Sequence, residues 1–75
     1  MADEAHMIDE ALLDHQSLAE ELARAAASPS LPPMLRALVR AAQGELWAWL
    51  DGSSPRGLTV ARHAVSEWRR WLAMR

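Results

Sequence analysis

"SPSLPP", residues 28–33, decides how this chain folds, because three of its four prolines fall within these six positions. A proline lacks the amide donor that a helix interior needs, and it holds the residue before it out of the helical region. The stretch therefore ends any helix that reaches it. It also offers a start for the next one: Ser30 can cap the first free amides, and Pro32 and Pro33 are tolerated in a first turn.

Upstream, Ile8, Ala11, Leu12, His15, Leu18, Ala19, Leu22, Ala25 and Ala26 recur at spacings of three and four. This is the stripe of an amphipathic helix over about residues 4–27. Asp9, Glu10, Asp14, Glu20, Glu21 and Arg24 fill the other side, with acids crowding the end where they complement the helix dipole. Glu20, four residues before Arg24, predicts a helical ion pair.

Downstream, Leu31, Leu35, Leu38, Val39, Ala42, Leu46, Trp49 and Leu50 predict a second helix over about 31–51. "DGSSP", residues 51–55, closes it, with Gly52 suited to the left-handed cap. Gly44 lies inside this helix at a cost of about 1 kcal/mol relative to alanine, and is either a tolerated defect or the mark of a close helix crossing there. Leu58, Ala61, Val65, Trp68 and Leu72 predict a third helix over about 56–74, capped by Ser54 or Thr59. Arg69, Arg70 and Arg75 stand at its cation-favouring end. No segment alternates as a strand does. The expectation is an all-α fold, one domain over residues 1–75, built as a small antiparallel three-helix bundle with short connections.

Seventy-five residues without a cysteine cannot be stapled by disulfides, and so small a core is marginal by itself. The chain holds four tryptophans and no other aromatic residue except histidine. Successive helical residues turn by about 100°, so Trp47 and Trp49 diverge by roughly 200° and cannot share one core. Trp49 continues the apolar stripe, whereas Trp47 continues the outward line of Arg36, Arg40 and Gln43. Trp68 and Trp71 lie only about 60° apart, with Trp68 inward and Trp71 beside it. Four indoles exceed what three short helices enclose, so a partner protein or a second copy is expected to complete the bundle. Trp47 and Trp71 are the expected anchors, and Arg36 and Arg40, or Arg69 and Arg70, would select an acidic counter-surface.

The net charge of −2 hides an asymmetry: residues 1–30 carry −6 and residues 31–75 carry +4. This suits pairing between helices better than nucleic-acid binding, which favours a wholly basic domain. All eight basic residues are arginine, for which a GC-rich coding bias is a simpler account than phosphate recognition. A DNA-binding regulator reading through the arginine-rich third helix is the alternative. It lacks the compact preceding helix and tight turn of a helix-turn-helix, since "DGSSPRG", residues 51–57, stands there instead.

Catalysis is not expected, because no nucleophile stands with an evident base. His6, Glu10 and Asp14 share a helical face at metal-ligand spacing, but that face is acidic throughout and reads as solvated. "LLDHQSL", residues 12–18, resembles the first histidine motif of hemerythrin-like iron proteins. Such a centre implies further histidines and carboxylates on later helices, where only His63 stands, so no metal or other cofactor is expected. His63 is expected to pair with Glu67, four residues on, and His15 to sit at the edge of the core. The acidic start lacks the continuous apolar core of a secretory signal, and no stretch approaches the roughly 20 apolar residues of a membrane span. A cytoplasmic protein without membrane contact is the expectation.

Overall fold

The computed structural model describes the backbone from Ala2 to Arg75 and the side chains from Asp14 onward. Three helices follow one another: α1 (Ala2–Ala26), α2 (Pro33–Leu50) and α3 (Gly57–Met74). Among the described residues there is no strand, and no helix is long and apolar enough to cross a membrane. The expected contributions of Ile8, Ala11 and Leu12 to the α1 stripe, and of His6 and Glu10 to its acidic face, lie outside the described side chains.

Each helix touches the other two, and α2 and α3 share the most extensive contact. Leu18, Leu22 and Ala25 of α1 meet Val39, Ala42 and Leu46 of α2 and Ala61, Ala64, Val65 and Trp68 of α3 in one core, with Leu31 sealing it from the first connection. Leu22 and Val39 are its largest fully enclosed side chains, each worth about 1.5–3 kcal/mol in surface removed from water. The cross-contacts also record direction. Asp14 meets Arg62 and Glu21 meets Arg69, so residue numbers rise together across α1 and α3. Between α1 and α2, His15 stacks on Trp49, while Arg36 donates to the Ser28 carbonyl at 3.2 Å.

Both connections depart from the expected capping. The second helix begins at Pro33 rather than near residue 31, and no side chain caps it. Leu31 precedes Pro32 and Pro32 precedes Pro33, so both are held out of the helical region. Pro32 accordingly sits at φ −59° and ψ 147°, and Ser30 falls too early to serve as the cap. At the far end of α2, Gly52 does adopt the left-handed conformation, with φ +85°. Its amide donates to the Trp49 carbonyl at 3.0 Å and the Ser53 amide to the Ala48 carbonyl at 2.8 Å, the pairing of a Schellman cap. Ser54 does not cap α3. Its hydroxyl donates instead to the Glu45 side chain at 2.7 Å. Thr59 lies inside α3, whose N-cap position is Arg56 with no side-chain bond.

The close helix crossing occurs at Gly57, not at Gly44. A Cβ on Gly44 would meet open space. A Cβ on Gly57 would collide with the Glu45 carbonyl oxygen and the Trp49 Cβ, and would lie 3.1 Å from the Glu45 carbonyl carbon. The first turn of α3 can therefore press onto α2 only because position 57 has no side chain.

Candidate functional site

The four indoles occupy three environments. Trp68 is buried in the core, and Trp71 is half-buried against it, ring centroids 5.6 Å apart and 26° between planes. The Arg75 guanidinium lies 5.0 Å from the centre of the Trp71 ring, a cation–π contact. Trp49 is half-buried rather than part of the core, stacked on His15 at 5.6 Å. Trp47 is 71% exposed. Leu50 and Leu72, both expected on inward stripes, are exposed as well, since each lies in the last turn of its helix, where the core ends.

Among the described residues, furrows run between each pair of helices. Along α1 and α3 the lining is polar, with Asp14 and Glu21 facing Arg62 and Arg69. The Asp14 carboxylate accepts from Arg62 Nε at 2.9 Å and also from its Nη2, and Glu21 accepts from Arg69 Nη2 at 3.1 Å. The hydrogen bond from Arg69 holds the Glu21 carboxyl below its ordinary pKa; partial burial opposes the shift, and the charges of Arg69 and Arg24 add to it. Arg69 is correspondingly raised by the same bond. Arg24 pairs with Glu21 at 3.6 Å rather than with Glu20, because Glu21 is the acid on the α3 side, where Arg69 already orders it. This furrow matches charges within the chain and presents no unbalanced group to a ligand.

Between α2 and α3 lies a groove of about 470 Å³ whose lips are Met34 and Met74, with Leu35, Leu38 and Trp71 below them. Met34 is 87% and Met74 73% exposed. Glu67 on its edge pairs with Arg70 at 3.6 Å rather than with His63. Between α1 and α2, His15, Ala19, Leu22, Gln43 and Leu46 form a hollow of about 300 Å³ with Trp47 as its outer wall. A second hollow, bounded by Ala48, Leu50, Asp51 and Ser53, opens on the other side of the same indole. Trp47 is thus a ridge between two depressions.

The six expected partner-binding residues do not form one patch. Arg36, Arg40 and Trp47 follow along α2 at spacings of four and seven, with Gln43 between the last two, which places them in one line. Arg40 is exposed, and Arg36 is half-buried where it meets Ser28. Trp71 and Arg70 belong to the other side of the molecule, at the α2–α3 groove, and Arg69 is turned toward α1. Sequence reasoning did not single out the methionine lips. Their signal was available, since Met34 and Met74 fall off the apolar stripes. Comparison with known proteins returns no match, neither a family model, nor a curated protein, nor a solved structure.

Proposed function

We propose that the chain is a non-enzymatic helical interaction module, an up-down-up antiparallel bundle of three helices that presents the Trp47 face to another protein. The observation that carries this reading is an indole left 71% exposed between two hollows, with Leu50 exposed beside it. Large aromatic side chains dominate binding hot spots because they bring much desolvated area at little conformational cost. Arg40 and Arg36 on the same line favour an acidic counter-surface. Such a module acts as a small regulator, an inhibitor or an accessory subunit, by covering or bridging its partner. It is assigned to the cytoplasm, since a chain without cysteine draws no stability from an oxidising compartment. The running directions of the cross-contacts support the antiparallel arrangement.

The alternative of DNA binding through α3 draws little support from the side chains. Arg62 and Arg69 face acids on α1, Arg70 faces Glu67, and Arg75 lies on Trp71. A phosphate would have to compete with these partners for the same guanidinium groups.

A photo-crosslinking amino acid placed at position 47 in the native cells tests the reading. A discrete covalent adduct should form there and not from the same probe at Ser66, on the polar α1–α3 furrow. Equal, diffuse labelling from both positions would remove Trp47 as a docking residue.

A further inference from the structure

Resting on that reading of the Trp47 face, we infer that its occupant is a second copy of this chain, whose acidic first half of α1 lies along the Arg36–Arg40–Trp47 line. Charge complementarity within the sequence itself names the occupant. Residues 2–13 carry Asp3, Glu4, Asp9 and Glu10 and no arginine or lysine, while Ile8, Ala11 and Leu12 supply an apolar set at helical spacing. The α2 line carries two arginines, no acid, and an exposed indole. The hollow beside that indole is floored by Ala19, Leu22 and Leu46, small or buried side chains that leave room for an incoming aliphatic row. Farther along the chain, the acids Asp14 and Glu21 already meet arginines of α3, so the same acid-to-arginine chemistry holds α1 in place within one copy.

A two-fold axis satisfies both lines at once: each copy gives its acidic segment and receives its partner's, and the assembly closes as a dimer. The indole is then covered by apolar side chains and rimmed by ion pairs, the arrangement in which hot spots are shielded from water.

Analytical ultracentrifugation of the full chain tests this with two surface variants. The wild type should be a dimer that dissociates as sodium chloride rises, because rim charges are screened. Trp47→Ala should weaken the dimer about thirtyfold or more, the scale of a truncated hot-spot side chain. The charge-reversed Asp9→Arg/Glu10→Arg chain should be monomeric, and so should Arg40→Glu. Mixing those two should restore a dimer, since every line in the mixed pair is again complementary. Two monomeric variants that fail to pair when mixed would overturn the inference, as would a wild type that stays monomeric at several hundred micromolar. In the last case a foreign-protein adduct from position 47 would still uphold the docking reading, so the two claims fail separately. A dimer indifferent to Trp47→Ala would place self-association on another face and overturn this one.

Discussion

The two tryptophan pairs of this chain differ by a single residue of spacing, and that difference assigns them opposite tasks. Trp47 and Trp49 stand two apart, on nearly opposite sides of α2, and the helix sends one ring to solvent and the other into contact with His15. Trp68 and Trp71 stand three apart on α3, on neighbouring lines, and stack on each other at 5.6 Å. A stacked pair can close one edge of the core by itself, with Arg75 as its outer cover. A split pair cannot close one edge together, because its outer member has no second ring to stack on and only the equally exposed Leu50 beside it. In a helix, aromatic mass placed at a spacing of three builds an interior, and at a spacing of two it leaves a ring available for binding.

The largest blow to this contrast should come from Trp68→Ala. Removing a buried indole from so small a core is expected to cost about 3–5 kcal/mol, a large fraction of the about 5–15 kcal/mol that holds a typical domain. Urea unfolding with the midpoint read by circular dichroism measures it. A loss under about 1 kcal/mol would mean that Trp68 is not what the core is built around. Next comes Gly57→Ala. The new methyl would strike backbone of Glu45 and the Cβ of Trp49, neither of which can swing aside, so α3 must shift from α2. About 1–3 kcal/mol is expected, the usual cost of overpacking. Because the obstruction involves Trp49, the His15–Trp49 stack should be disturbed as well, visible as a change in the near-ultraviolet circular dichroism.

The helices themselves were legible because apolar spacing is a repeated signal: errors at Leu50 and Leu72 did not hide the stripes to which Leu38, Val39, Ala61 and Val65 belong. The division of the tryptophans followed from the same arithmetic, except that Trp49 was assigned to the core and is half-buried. What was not legible depends on a partner in space. Ser30 and Ser54 were sensible caps on local rules, but tandem prolines postponed one helix and the Glu45 carboxylate claimed the other hydroxyl. Glu21 rather than Glu20 pairs with Arg24, because a third residue, Arg69, orders it from another helix. Gly44 read equally as a tolerated defect or a crossing, and open space beside it leaves the first, whereas Gly57, at the start of α3, looks like ordinary loop composition. The docking residues were read as two alternative arginine pairs beside an indole, and which side of the bundle each faces depends on its partners: Arg69 is turned to Glu21 of α1, whereas Arg70 pairs within α3.

Two smaller predictions sharpen the same comparison. Gly44→Ala should stabilise the chain by up to about 1 kcal/mol, since the added methyl meets open space in the middle of α2. The two alanine substitutions would then have opposite signs, a result that thermal melts of the pair can read directly. A destabilised Gly44→Ala would show that something does approach α2 there.

Trp47→Ala should have the least effect on folding of any tryptophan change. The ring is 71% exposed, so truncation removes little buried surface, and alanine is the better helix former. Measured at a concentration too low for association, the midpoint in urea should stay within about 0.5 kcal/mol of the wild type, with the slope unchanged. The fluorescence should change more than the stability does. With the exposed indole gone, emission comes only from Trp49, Trp68 and Trp71, which are half-buried or buried, and the spectrum should move to shorter wavelength. A loss comparable to that of Trp68→Ala, or an unshifted spectrum, would mean that the ring is covered within a single chain. The contrast between the split pair and the stacked pair would then disappear.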